Sequence, residues 1–192
     1  MRSFHFLDAV CLFVVAAFIL LETGHRSVSA EQPIPKIKSG FFYYEVEILA
    51  REGNSISIGL GPNKGLPTEK EIGRSEGYAY DNNGDVWGHK VDRCFNYLGR
   101  PYIKGQPQFA VRDVVKGVVF VSLDVVGCGV NLKTGQIFYT LNGVLLKTLD
   151  MRAADLNADL FPTVSLGFPG NKIKANFGSE KFKFDIAKAF KE

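Results

Sequence analysis

The chain has 192 residues, of which 46% are hydrophobic and 22% are charged, and its formal net charge at pH 7 is +3. This composition excludes a disordered or fibrous chain, and it lacks the strong basic excess that nucleic-acid binding requires. We therefore expect one globular domain and no nucleic-acid partner. Lysines are frequent near the chain end, where residues 188–192 are expected to form a solvated basic tail.

The first 30 residues have the pattern of a secretory signal peptide. Arg2 and His5 give a weakly positive start, and Ala9–Leu21 is an apolar run of 13 residues. Val28-Ser29-Ala30 then places small residues ahead of a cleavage site at Glu31. The apolar run is shorter than the roughly 20 residues that span a bilayer, which disfavours the alternative of an uncleaved membrane anchor. We expect residues 1–30 to be removed, leaving no membrane segment.

The cysteine content indicates the compartment in which the mature protein works. Only Cys94 and Cys128 remain after leader removal, and no Asn-x-Ser/Thr glycosylation acceptor occurs in the sequence. Export without disulfides or glycan sites favours a reducing destination, such as the cytosol of another cell. The alternative is an extracellular domain that is stable without either device.

From Gly40 onward the sequence predicts β-strands. Tyr44, Val46 and Ile48 alternate with Tyr43, Glu45 and Glu47, which predicts a strand with one buried and one solvated face. Further strands are expected at Ser55–Leu60, Val125–Leu132, Gln136–Leu141, Val144–Leu149, Phe161–Phe168 and Lys172–Phe177. Asn142-Gly143 is a hairpin signal, because both residues accept positive φ. Short strands at regular spacing predict an all-β antiparallel sandwich, and only Phe184–Lys191 offers a helical pattern.

Candidate catalytic residues are few. His89 is the only histidine left after leader removal, and Cys94 is the nearest nucleophile along the chain. A lone histidine in a loop is more often a hydrogen-bonded structural residue, and Cys128 in an apolar strand is expected to be a buried small side chain. Glu45 and Glu47 have the spacing of a glycosidase pair, but both lie on the predicted solvated face of one strand. We expect no catalytic residues and no enzyme activity.

Metal and phosphate sites are also disfavoured. Asp81, Asn83 and Asp85 have the spacing of calcium ligands, but Val86 stands where a calcium-binding hand needs glycine. The stretch 59–65 is Gly-rich after a strand, yet it lacks the Gly-Lys-Ser/Thr ending of a phosphate-binding loop and is expected to be a turn. We expect no metal and no cofactor.

Seven short stretches resemble, in order, the landmarks of a SPRY domain of the Ran-binding protein M type. They are Phe41–Ile48 (FFYYEVEI), Ile56–Leu60 (ISIGL), Gly77–Tyr80 (GYAY), Val126–Asn131 (VGCGVN), Phe138–Gly143 (FYTLNG), Phe161–Leu166 (FPTVSL) and Asn176–Gly178 (NFG). The likeness covers about residues 32–186 and places the domain at residues 31–187. The leader and the phrases Gly84–His89 (GDVWGH), Gly99–Ile103 (GRPYI) and Ala175–Gly178 (ANFG) are similar to the secreted SPRY effectors of plant-parasitic cyst nematodes.

The resemblance implies a fold and a role. The fold is a bent antiparallel β-sandwich of the concanavalin-like jelly-roll type, without enzyme activity, that holds peptides or protein surfaces with loops at one end. The family is secreted from gland cells and delivered to the cytoplasm of the host plant cell. There it binds host proteins, with a plant immune receptor or a ubiquitin-pathway component as candidate partners, and modulates immunity or development. We expect a monomer. The alternative is an extracellular, lectin-like carbohydrate-binding or hydrolytic sandwich.

The resemblance also assigns a partner-binding loop. Its candidate contact residues are Tyr78, Tyr80, Asp81, Asn82, Asn83, Asp85, Trp87 and His89. Exposed Tyr and Trp side chains are rigid anchors for a partner, and Asn and Asp can pair with a peptide backbone. Inward packing of Tyr80 and Trp87 is the alternative, because these residue types are often largely buried.

The chain departs from the family pattern at two places. A SPRY domain has one or two strands ahead of the segment equivalent to Gln32–Pro35, whereas here the expected cleavage site precedes it, so the mature sandwich is expected to lack these first strands. Residues 116–126 (KGVVFVSLDVV) look inserted, because Asp113-Val114-Val115 recurs as Asp124-Val125-Val126. This apolar stretch is expected either to pair as an extra strand, with Lys116-Gly117 as a turn, or to promote aggregation.

Overall fold

The computed structural model describes residues 26–53, 55–62, 70–115, 118–121, 123–147, 151–155 and 157–190. The apolar run of the predicted leader, residues 63–65 of the Gly-rich stretch, the turn 116–117 and the end of the basic tail lie outside these residues. Within the described ranges, no helix has the length and apolar character needed to cross a membrane.

The described chain forms two antiparallel sheets and almost no helix. Strands are numbered in chain order. The seven-stranded sheet contains, in spatial order, β1 (Arg26–Ser29), β13 (Phe161–Leu166), β3 (Ile56–Gly61), β4 (Tyr78–Asp81), β5 (Val86–Trp87), β7 (Arg100–Ile103) and β6 (Phe95–Tyr97). The five-stranded sheet contains β12 (Val144–Leu145), β11 (Ile137–Leu141), β10 (Val125–Asn131), β2 (Phe41–Ala50) and β14 (Lys172–Asn176). The all-β sandwich predicted from the sequence is confirmed.

Three smaller features complete the fold. The strands β8 (Arg112–Val115) and β9 (Val118–Val121) pair with each other as a two-stranded hairpin, separate from both main sheets. The stretch that looked inserted therefore supplies a strand. The helix α1 (Ile186–Ala189) is one turn long and is capped by Asp185, whose carboxylate accepts from Lys188 N. The strand β1 consists of residues that the sequence assigns to the leader, so the sheet has a strand ahead of Gln32 when those residues are present.

The main core lies between the two sheets. Tyr44, Val46 and Ile48 of β2 are buried, as their alternation predicts, and every residue of β3 is buried as well. Each buried valine, leucine or isoleucine side chain among them contributes about 1.5–3 kcal/mol of hydrophobic stabilisation relative to full exposure. At the hairpin between β11 and β12, Asn142 and Gly143 have φ of 51° and 78°, which confirms the predicted turn.

The opposite face of β2 is covered at Tyr43 and Glu45, which corrects the prediction that both residues lie on a solvated face. Tyr43 and Glu45 are 6% and 4% exposed because the C-terminal segment packs over them. The Tyr43 ring stacks on Phe138 at 5.9 Å and meets Phe182 edge-on at 4.9 Å. The Glu45 carboxylate accepts hydrogen bonds from the backbone amides of Lys183 and Phe184, both at 3.0 Å, and from the Tyr43 hydroxyl at 2.9 Å. Alternation along one strand could not reveal a segment that returns from the chain end.

Replacing Glu45 with alanine is expected to lower the free energy of unfolding by about 2–4 kcal/mol, because the buried amide of Phe184 and the partly buried amide of Lys183 lose their acceptor. Glu47→Ala removes a half-buried carboxylate from the same strand and serves as the matched control, with an expected loss below about 1 kcal/mol. Urea denaturation followed by tryptophan fluorescence measures both. Equal losses in the two variants would contradict the role assigned to Glu45.

Candidate partner-binding site

The predicted binding loop is built on two short strands of the seven-stranded sheet. The strands β4 and β5 pair in the register Ala79↔Trp87 and Tyr80↔Val86, and the turn between them closes at Gly84. Gly88 follows β5 with a φ of 90°, and a Cβ there would collide with the carbonyl oxygen of Gly77. Successive side chains of a strand lie on opposite faces of the sheet, so Tyr80 and Val86 share one face and Ala79 and Trp87 share the other.

The buried carboxylate of Asp81 holds this loop together. Its Oδ2 accepts from the Trp87 indole at 2.9 Å and from the Arg74 guanidinium at 2.8 Å. Its Oδ1 accepts from the backbone amides of Asn83 at 3.0 Å and Asp85 at 3.1 Å. Charge-assisted bonds of this kind are about twice as strong as neutral ones. Asp81 therefore acts as the structural acceptor of the turn.

Tyr80 and Trp87 are buried, at 0% and 2% exposure, so the expectation that they are exposed anchors is wrong. Tyr80 lies in the main core, where its ring contacts Phe109 at 5.0 Å and its hydroxyl donates to the Pro107 carbonyl. Trp87 lies on the opposite face of the sheet, where Tyr102 stacks on it at a centroid distance of 4.3 Å. The inward packing weighed as the alternative is the arrangement found.

His89 is also buried, at 1% exposure. Its ring stacks on Tyr78 at 4.9 Å and meets the edge of Tyr139 at 6.2 Å. Burial, and to a lesser degree the charge of Arg100, lowers the pKa of His89 to about 3. The imidazole is therefore neutral at pH 7 and is enclosed by aromatic rings, as expected of a structural histidine.

The remaining candidate residues differ in their access to solvent. Asn82 is buried, and its Oδ1 accepts from the amide of Ile56 at 2.9 Å. Asn83 is exposed, and Tyr78 and Asp85 are half-buried. The Tyr78 hydroxyl accepts from the amide of Ala154 at 2.6 Å. The pKa of Asp85 is raised by its partial burial and by the adjacent Asp81, with Lys104 among the groups that oppose the rise.

The structure brings a second group of residues beside this loop that the sequence reasoning missed. The hairpin of β6 and β7 exposes Phe95, Tyr97 and Leu98 at 53%, 57% and 88%. Tyr97 meets Trp87 edge-on at 6.4 Å, and Phe95 lies 5.5 Å from the ring of Tyr102. Large apolar side chains exposed together usually mark an interaction surface. We call this surface the aromatic rim and define it as Phe95, Tyr97, Leu98, Tyr102 and Lys104.

The aromatic rim adjoins the polar turn through Lys104. The Lys104 ammonium lies 5.2 Å from the Phe95 ring centroid and 5.4 Å from that of Tyr102, within the range of cation–π attraction. The same charge acts on Asp85 of the turn. The alternation of aromatic residues around Leu98-Gly99 was the signal in the sequence that could have indicated a hairpin here.

The chemistry of this region is that of a binding surface. Among the residues that the structure describes, no group of three or more His, Cys, Asp or Glu side chains is placed to hold a metal ion. Cys128 is fully buried, and burial raises the pKa of its thiol well above the ordinary range. Exposed aromatic rings next to a cation, an amide and a carboxylate can contact a polypeptide through both its side chains and its backbone.

Comparison with known proteins identifies relatives. A family model described as the SPRY domain matches residues 41–180. Ran-binding protein 9 of Danio rerio is 34% identical over 166 residues, which are 86% of this chain and 24% of the relative. Ran-binding protein 10 of the same species is 34% identical over 160 residues, covering 83% and 23%. The Ran-binding protein M homolog of Arabidopsis thaliana is 30% identical over 159 residues, covering 83% and 29%. The chain thus spans about a quarter of the length of these relatives.

Trp87→Phe keeps an aromatic ring in the sheet but removes the indole N–H that Asp81 accepts. We expect the free energy of unfolding to fall by about 1–3 kcal/mol, as for the loss of one hydrogen bond to a buried charge. Tyr97→Phe removes a hydroxyl from a more exposed ring and is the control, with an effect within about 0.5 kcal/mol. Thermal and urea unfolding measure both, and an unchanged Trp87→Phe protein would contradict the role of Asp81.

The buried neutral His89 is expected to make stability depend on pH. Its folded-state pKa lies below the unfolded value, so the unfolded chain binds a proton that the folded chain does not. Stability is therefore fully present above about pH 6.5 and falls as the pH drops towards the folded pKa, by about 2 kcal/mol from pH 7 to pH 5. Urea unfolding at both pH values should show that His89→Gln loses this part of the pH dependence. The same slope in both proteins would contradict the assignment.

Proposed function

The chain belongs to the SPRY-domain family, and on this basis we propose that it is a secreted effector that binds a host plant protein to modulate host immunity or development. The SPRY domain is a protein–protein interaction module, so binding rather than catalysis is the activity expected of this chain. The observation that carries the proposal is the exposed aromatic rim beside the turn that follows β4.

The partner contacts the rim and the polar turn together. Tyr97, Phe95 and Leu98 supply the apolar contact area, and their positions on a hairpin that packs against Trp87 keep them ordered before binding. Asn83 and Asp85 supply hydrogen-bonding groups at the edge of this surface. Aromatic side chains flanked by polar groups are the usual composition of residues that dominate binding energy.

Secretion and a reducing destination are supported by two observations. The first 30 residues have the pattern of a leader, and both described cysteines carry unpaired thiols. Cys128 is buried in β10, where its raised thiol pKa disfavours the reactive thiolate. The mature protein is proposed to work in the host cell cytoplasm.

The carbohydrate-binding or hydrolytic alternative needs an accessible pair of carboxylates. Glu45 is buried beneath the C-terminal segment and accepts three hydrogen bonds there, whereas Glu47 is half-buried on the same strand. A carboxylate committed to backbone amides is a poor general acid or nucleophile. No contact of this pair favours glycan chemistry.

Capture of host proteins from plant extract tests the proposed site. The double variant Tyr97→Ala/Leu98→Ala is expected to retain about one tenth or less of the partner captured by the unaltered protein, since two residues at the centre of an interface are removed. Quantitative mass spectrometry of the captured proteins is the readout. Circular dichroism confirms that each bait is folded.

The matched control is Leu123→Ala, which truncates another exposed leucine, 62% accessible, that is not one of the rim residues. It is expected to capture the partner as well as the unaltered protein does. Equal capture by the rim variant and the control would place the binding site elsewhere on the domain.

A further inference from the structure

The edge of the seven-stranded sheet is closed by residues that belong to the predicted leader. The strand β1 pairs with β13 in the register Arg26↔Leu166 to Ser29↔Thr163. The pairing continues to Ala30, which is 2% exposed and donates its amide to the Pro162 carbonyl at 2.8 Å. Cleavage ahead of Glu31 would remove this strand in full and leave β13 as the edge.

The contacts of β1 define what the opened edge would offer. Ser27 and Ser29 place their hydroxyls 2.6 Å and 2.9 Å from those of Ser165 and Thr163. In an antiparallel ladder, residue pairs that exchange backbone hydrogen bonds alternate with pairs that do not, and the side chains of the second kind are closer together. The two hydroxyl pairs are of the second kind. The pairs at Val164 and Leu166 are therefore the ones that exchange backbone hydrogen bonds with β1. Without β1, the outward backbone groups of Val164 and Leu166 would lose their partners, and the hydroxyls of Thr163 and Ser165 would lose the serines opposite them.

Pro162 leaves one position of β13 without an amide donor on the side of β1. Its carbonyl points towards β1, and in an antiparallel strand the amide position of the same residue points to the same side. Proline has no N–H to offer there, and proline within sheets is confined largely to edge strands for this reason. The inner side of β13 is fully committed to β3 along the whole of Phe161–Leu166.

We propose that removal of the leader opens the edge of β13 and that this edge then binds an extended segment of a partner protein in antiparallel orientation. The segment carries Ser or Thr at the two positions that face Thr163 and Ser165, with one residue between them. The inference rests on the secretion part of the proposed function. Strand addition to an exposed sheet edge is a general mode of peptide recognition, in which backbone bonds give affinity and alternate side chains give specificity.

The register favours a partner segment over a second copy of the chain. If two copies of β13 paired with Val164 at the centre, Pro162 of each copy would lie opposite Leu166 of the other. Because proline has no N–H, two backbone hydrogen bonds would be lost. A single partner strand in the register of β1 loses only one. The hydroxyls of Thr163 and Ser165 also have small polar residues opposite them in the ladder with β1, Ser29 and Ser27.

The first experiment determines where the mature chain begins. The full chain is expressed in a secretory eukaryotic cell, and the N-terminus of the secreted protein is identified by mass spectrometry. We expect it to begin at Glu31, as a folded monomer by circular dichroism and light scattering. A chain that begins at or before Arg26 keeps β1 and overturns the inference, and so does a mature protein that is unfolded or dimeric.

The second experiment measures binding of a fluorescent peptide with the sequence of residues 24–31 (GHRSVSAE) to this mature protein. We expect saturable binding that weakens at least tenfold when the peptide carries Val28→Pro, which removes the amide opposite Val164. A version of the protein that begins at Arg26 should not bind the peptide. The rim variant Tyr97→Ala/Leu98→Ala should bind it normally, which separates this edge from the proposed rim site. Absence of peptide binding by a protein that begins at Glu31 overturns the inference and leaves secretion intact.

Discussion

The arrangement of the candidate binding loop and its aromatic side chains depends on the buried carboxylate of Asp81, which accepts hydrogen bonds from four groups. By accepting from two backbone amides it fixes the turn after β4, and by accepting from the indole it fixes Trp87 against the sheet. Trp87 in turn contacts the rings of Tyr97 and Tyr102. A charge that is itself inaccessible thus determines which aromatic side chains reach solvent.

The strands could be predicted from the sequence because alternation and turn residues are local properties. The core face of β2, the hairpin at Asn142-Gly143 and the strands β13 and β14 were predicted on these grounds and are present. The environment of Glu45 was not predicted correctly. Its burial depends on the amides of Lys183 and Phe184, which lie far along the chain, and no local pattern carries that information.

At the candidate site, the limit of prediction from local sequence patterns is clearer still. The sequence located the loop around Asp81, but it could not tell inward from outward side chains, because that depends on the register of β4 with β5. Trp87 is covered by Tyr102 and by the Arg74 guanidinium, which lies 4.6 Å from its ring. The sequence patterns assigned no role to Phe95 and Tyr97, which the β6–β7 hairpin places at the end of the sheet and exposes. Whether the loop contacts a partner stays a prediction.

Because of the aromatic cluster under the C-terminal segment, the two sheets differ in how well they tolerate amino-acid substitutions. Gly127 and Gly129 of β10 leave room for Tyr43 and Phe138, whose rings the segment covers, so the five-stranded sheet is packed on both sides around these residues. Substitutions in this aromatic cluster disturb a packed layer of side chains, whereas substitutions on the outer side of the β6–β7 hairpin change side chains that are exposed to solvent. Related chains can therefore vary the exposed side chains of that hairpin while the architecture that supports it stays constant.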